Sequence, residues 1–218
     1  MKKWSKKLFC GVLTAAMVLV MAACGDGRED GDQTDSSGSV SSGTESVDKT
    51  ESAGIHHVEI TIKDYGKISV ELNGDKAPIT VENFLKLAGD GFYDGLTFHR
   101  IMEGFMMQGG DPLGTGMGGA EEKIKGEFSE NGVENDLSHT RGAISMARSS
   151  ANDSASSQFF IVHEDSTFLD GQYACFGYVT EGLDVVDAVC TDEYQYIDGN
   201  GTLAKESQPV IESIKVID

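Results

Sequence analysis

From Val58 onward the chain alternates: Val58, Ile60 and Ile62 are separated by Glu59, Thr61 and Lys63. After Asp64-Tyr65-Gly66 the segment KISVEL (67–72) alternates again. A period of two marks a strand with one buried face, and two such runs around a turn predict a hairpin. The period then changes. Val81, Phe84, Leu85 and Ala88 fall at helical spacing, behind Pro78 and Thr80 and ahead of Gly89. This predicts a helix capped by Thr80 and ended by Gly89. GLDVVDAVC (182–190) predicts a second short helix. Further strands are expected at GAISMA (142–147), QFFIV (158–162), YACFGYV (173–179) and PVIESIKVI (209–217). The stretch FHRIMEGFMMQGGDP (98–112) reads as two more strands around Glu103-Gly104. Many short strands with two helices point to an antiparallel barrel or sandwich.

The first 54 residues follow neither period. Lys2, Lys3, Lys6 and Lys7 precede an apolar run from Leu8 to Ala23 that is too short to span a bilayer comfortably. That is the pattern of a secretory signal. Met21-Ala22-Ala23-Cys24 resembles a bacterial lipobox, which predicts acylation of Cys24 and an extracytoplasmic protein held to the cell membrane by lipid. An uncleaved anchor, or a plain signal with an incidental Cys, are the other readings. Residues 24–54 are rich in Ser, Gly, Asp, Glu and Thr. Such a segment cannot bury enough surface to order itself. As a coil it would hold a domain of residues 55–218 roughly 30 Å from the membrane.

Charge narrows the partners. The full chain carries −19; losing residues 1–23 takes four of its 17 basic residues and none of its 36 acidic ones, leaving −23. Such a surface argues against nucleic acid, and it makes a covalent lipid the more credible hold on an anionic membrane. Cys175 and Cys190 have no regular spacing and read as free thiols, Cys175 in the core, although a secreted chain could join them. The five histidines are scattered, so no metal site is expected. GGDPLGTGMGG (109–119) lacks the Gly-Lys-Ser/Thr of a phosphate loop.

The chemistry candidates lie in the 98–112 stretch. Arg100 and Gln108 stand among Phe98, Ile101, Met102, Phe105, Met106 and Met107. Arginine is rarely buried without a partner. On the hairpin alone, a surface arginine lying past apolar neighbours is the simpler reading. Alternation assigns Met107 to the core and Met106 to the outer face.

Three ordered blocks change that reading: FHRIMEGFMMQGGD, GAISMARSSANDSASSQFFI and FLDGQYACFGYV. Together they closely resemble the cyclophilin-type peptidyl-prolyl isomerases, over Ile55 to Asp218. The resemblance implies a mainly β fold, a closed eight-stranded antiparallel barrel capped by two helices. It implies isomerisation of X–Pro bonds, here during folding of exported proteins, by a monomer acting on proline-containing flexible polypeptides without a cofactor. Arg100 matches the catalytic arginine, with Gln108 beside it. Phe105, Met106, Ala147, Arg148, Gln158, Phe160 and Leu169 match groove residues. Phe168 stands where well-known members carry Trp, a position that helps bind cyclosporin, and Tyr173 where many carry His. A non-catalytic proline-peptide module on the same fold is the main alternative, and a solute-binding lipoprotein a further one.

Overall fold

The computed structural model describes residues 53–218; the leader, Cys24 and nearly all of the linker lie outside the described residues. Strands β1 (Ile55–Ile62) and β2 (Gly66–Asn73) pair antiparallel, with Val58 opposite Val70 and Ile60 opposite Ile68. Their alternate residues Val58, Ile60, Ile62, Ile68, Val70 and Leu72 are all buried. The turn uses the left-handed region twice, at Asp64 (φ 68°) and Gly66 (φ 128°).

Helix α1 spans Pro78–Gly89 and buries Val81, Phe84 and Ala88. Its cap differs from expectation. Pro78 opens the helix behind Ala77, so Thr80 lies inside the first turn and is fully buried. The free amides of that turn are met from far along the chain. Buried Glu127 accepts the Thr80 amide and hydroxyl at 2.7 Å each, and the Ile79 amide at 3.1 Å. A carboxylate there satisfies orphan donors and also complements the helix dipole.

The remaining elements are β3 (Phe98–Met102), β4 (Met106–Gly109), β5 (Ala143–Met146), β6 (Phe159–Val162), β7 (Cys175–Glu181), α2 (Leu183–Thr191) and β8 (Ile211–Val216). One antiparallel sheet has the order β3-β4-β6-β5-β7-β2-β1-β8. It is strongly curled, a half-barrel rather than the expected closed barrel. Its edge strands β3 and β8 share no ladder and run together only over residues 95–98 and 209–211, through the Thr97–Val210 bridge and the Phe98 amide to Pro209 carbonyl and Ile211 amide to Leu96 carbonyl bonds. The reason is local. The outer edge of β3 is taken by the segment 196–203, where the Ile101 amide donates to the Gly201 carbonyl and the Leu203 amide to the His99 carbonyl, both at 2.9 Å.

The pleat sends neighbouring residues to opposite faces. Inward, Phe84, Tyr93, Phe98, Phe159 and Phe176 form an aromatic centre with ring separations of 5.1–6.0 Å. Met107 and Ile161 join it. Outward, Met106, Phe160, Val162 and Leu169 form a smaller cluster. Cys175 and Cys190 are buried free thiols, and burial pushes each up to about 12.

Candidate active site

The outer cluster carries the site. Register places Arg100 opposite Gln108, Gln108 opposite Phe160, and Phe160 opposite Ser145, one row across β3, β4, β6 and β5. Arg100 reaches that row through a bulge. The β3–β4 pairing shifts between Phe98 and Arg100, so His99 is an extra residue. Strict alternation from the buried Phe98 would turn Arg100 inward. The bulge turns it outward, and Ile101 then packs in the main core.

Arg100 is half-buried. Its Nε donates to the Asn200 carbonyl at 2.8 Å. Nη1 donates to Gln108 Oε1 at 3.3 Å, and Nη2 lies 3.2 Å from the Met102 sulfur. Burial lowers its pKa, while Asp198 and Tyr173 oppose the shift; the guanidinium stays cationic. A chain of amides fixes its neighbour. Gln108 Nε2 donates to Gln158 Oε1 at 2.9 Å, and Gln158 Nε2 donates to the carbonyls of Gly118 (2.7 Å) and Gly116 (3.1 Å).

Beside the guanidinium lies a cleft of about 170 Å³. Phe105, Met106, Phe160, Leu169 and Tyr173 give it apolar walls, and Ala147 and Arg148 close the far side. Nine of the eleven expected pocket residues thus meet at one cavity. The other two stand next to it. Gln158 lines an adjoining cleft of about 380 Å³ that shares Gln108, Ala147 and Arg148. Phe168 is a rim residue, 67% exposed, its ring 5.6 Å from that of Phe105. Met106 departs from the simple outward reading: it is on the outer face but only 1% exposed, covered by the cluster around it. Arg148 is not a free cation arm. Its three nitrogens donate to the carbonyls of Gln172 and Ser149, and its guanidinium lies 4.8–4.9 Å from the Tyr173 and Phe128 rings.

The family description "Cyclophilin type peptidyl-prolyl cis-trans isomerase/CLD" matches residues 57–216, the whole span that builds this row and cleft. The chain belongs to the cyclophilin family. It is 50% identical over 123 residues to peptidyl-prolyl cis-trans isomerase B of Bacillus subtilis, covering 56% of this chain and 82% of that one. It is 40% identical over 166 residues to peptidyl-prolyl cis-trans isomerase A of Dickeya dadantii, covering 74% and 84%. Among solved structures, a Cryptosporidium parvum cyclophilin crystallised in the presence of the dipeptide Ala-Pro superposes with a TM-score of 0.65 at 29% identity, covering 74% of this chain and 99% of that one.

This cyclophilin domain also holds a polar set that the sequence reading does not find. His139 is fully buried, and its ring stacks on Phe160 at 5.9 Å and 16°. Its Nδ1 is 2.7 Å from Asp170 Oδ1, and its Nε2 is 3.0 Å from Ser145 Oγ. A carboxylate only accepts, so Nδ1 carries the proton and Nε2 accepts from the serine. The three residue types are those of an acyl-transfer triad, but Ser145 is fully buried. The set therefore braces Phe160 from behind. His139 and Asp170 are 31 positions apart, and no local signal links them.

The brace predicts acid sensitivity. Desolvation lowers the His139 pKa, only partly offset by Asp170. Burial alone would raise the Asp170 carboxyl, but the Ser138 hydroxyl and the His139 amide and ring hold it below its usual value. Both groups thus bind protons less readily folded than unfolded, so stability rises with pH through both windows. On acidification the His139 contribution is lost from roughly pH 6.5 downward and the Asp170 contribution from roughly pH 4 downward. Thermal unfolding midpoints measured from pH 8 to pH 4 should fall continuously below pH 7. His139→Gln should flatten the upper part of that fall.

Proposed function

We propose that this protein is a peptidyl-prolyl cis-trans isomerase. The observation that carries the reading is a half-buried, permanently charged guanidinium fixed through Nε at the edge of an apolar cleft. Rotation about an X–Pro bond makes and breaks no covalent bond; its barrier of roughly 18–20 kcal/mol is the loss of amide resonance. As the amide twists, the proline nitrogen regains its lone pair and becomes a better acceptor. A donor fixed beside it binds the twisted state better than either planar state, which is what lowers the barrier. The Arg100 nitrogens Nη1 and Nη2 are held only by a 3.3 Å amide contact and by weak sulfur acceptors, so both are available to a substrate. Phe105, Met106, Phe160 and Leu169 hold the pyrrolidine ring, while Gln108 and Gln158 orient Arg100 and the peptide backbone.

One charge-assisted hydrogen bond contributes about 1.5–3 kcal/mol. Moving exchange from tens of seconds to milliseconds takes about 5–6 kcal/mol. Clamping of one side of the bond, and an apolar site suited to a twisted amide, supply the remainder.

The expected substrates are flexible proline-containing polypeptides. The basic and apolar leader and the lipobox-like Met21–Cys24 support exported clients met outside the cytoplasm, with the lipid on Cys24 as anchor. The direct test is NMR exchange spectroscopy on an Ala-Pro peptide. Catalytic amounts of the purified chain should broaden the cis and trans resonances, and an Arg100 variant should not. Peptide binding without broadening by the wild type points instead to the non-catalytic module.

A further inference from the structure

Arg100 stands on an edge strand, the least constrained place in a sheet. What restrains it is the 196–203 segment. Tyr196 and Leu203 form an isolated bridge, and the Ile197 amide donates to the Thr202 carbonyl at 2.9 Å, making a small hairpin. The hairpin tip docks on β3 through the Ile101 amide to Gly201 carbonyl bond and a second bridge, Arg100–Thr202. The approach is close. Gly201 has φ 84°, and a Cβ there would sit 2.5 Å from the Ile101 carbonyl oxygen. The same tip presents the Asn200 carbonyl to Arg100 Nε.

The tip is organised by one carboxylate. Asp198 Oδ1 accepts the amides of Asn200 (2.8 Å) and Thr202 (3.1 Å), and Oδ2 accepts the Thr202 hydroxyl (2.9 Å). These bonds hold the Asp198 carboxyl below its usual range. Asp198 therefore binds both residues of the tip that touch Arg100: the one whose carbonyl accepts Nε and the one bridged to its backbone.

We infer that Asp198 is a positioning residue for Arg100: by closing the 198–202 turn it holds the Asn200 carbonyl against Nε, and so aims Nη1 and Nη2 at the cleft. The inference rests on the isomerase reading of Arg100. Without the turn, Nε bonds to water and the guanidinium samples other rotamers, which erodes a contact that matters only in the twisted state. The cleft walls come from segments outside the 196–203 hairpin and stay in place, so peptide affinity is spared.

The test uses the purified full chain with Asp198→Ala, Asp198→Asn and Thr202→Val. Asp198→Ala should lower kcat about tenfold, with KM for an Ala-Pro peptide changed by less than about twofold. Asp198→Asn, which keeps an oxygen acceptor for the two amides, should recover most of the loss, and Thr202→Val should fall between. In ¹⁵N spectra the Arg100 Nε–H signal should be protected from water exchange in the wild type and lose that protection in Asp198→Ala. The inference is overturned if Asp198→Ala keeps the wild-type kcat, raises KM alone, or leaves the Nε–H protection intact. A wild type without exchange activity would sink the isomerase reading, while Nε–H protection would still decide the positioning claim.

Discussion

Replacing Arg100 with alanine is expected to lower kcat/KM on an Ala-Pro peptide by about 10- to 100-fold, the range that loss of one charge-assisted hydrogen bond implies. Most of the loss should fall on kcat, because the apolar walls that bind the ring are supplied by Phe105, Met106, Phe160 and Leu169. Arg100→Lys should restore little. An ammonium group on a flexible stem cannot bond the Asn200 carbonyl through a mid-chain nitrogen and also present two further donors to the cleft. The fold should survive both changes, since the partners of the guanidinium are a carbonyl, an amide oxygen and two sulfurs rather than a buried counter-charge. Protease-coupled or NMR exchange rates, set beside circular dichroism of each variant, check this. A variant as fast as the wild type refutes the role.

Phe160→Ala should do damage of another kind. The ring is 5% exposed, lies edge-on to Tyr173 at 5.9 Å, belongs to the Met106 and Leu169 cluster, and covers the His139 imidazole. Truncating a packed phenylalanine costs about 3–5 kcal/mol, and here it also opens the buried His139 ring, the partner of the exposed Asp170, to water. Peptide binding should weaken because one wall of a 170 Å³ cleft disappears. Denaturant unfolding should therefore show the stability loss, and peptide titration a raised KM. Phe160→Leu should recover much of the former, because it refills the space over His139, and less of the latter. Native stability together with native KM in Phe160→Ala would show that the ring does neither job.

How far the sequence foretold these residues depends on where their partners lie. The β1–β2 hairpin and the buried stripe of α1 were readable because each element buries one face, and burial of one face imposes a period. The edges of the sheet were not. A pattern reports which way a side chain points, and nothing about whether β3 ends against β8 or against the 196–203 segment. The cap of α1 failed for a similar reason: Thr80 is a good local candidate, but the acceptor that serves the helix is Glu127, 47 positions downstream of the Thr80 amide. In the site, the three ordered blocks carried Arg100, Gln108 and the apolar walls. They contained Ser145 and Asp170 but not His139, and nothing in them tied the three into a brace; nor did they carry the Asn200 carbonyl, a backbone group that any residue would supply. Met106 shows the limit of alternation. It separates the two faces of β4 correctly, yet both faces are covered, so the outward methionine is as buried as the inward one.

The surplus residue at His99 has a further consequence. Removing His99 would leave Phe98 opposite Gly109 and Arg100 opposite Gln108, an even pairing with the guanidinium still outward, whereas straightening the strand with His99 in place would turn the guanidinium inward toward the Phe98 and Phe159 rings. A lone cation enclosed in that way is among the costliest errors a fold can contain. In this strand, then, the bulge and its surplus residue belong together: losing both preserves the aim of the guanidinium, and flattening the bulge alone reverses it.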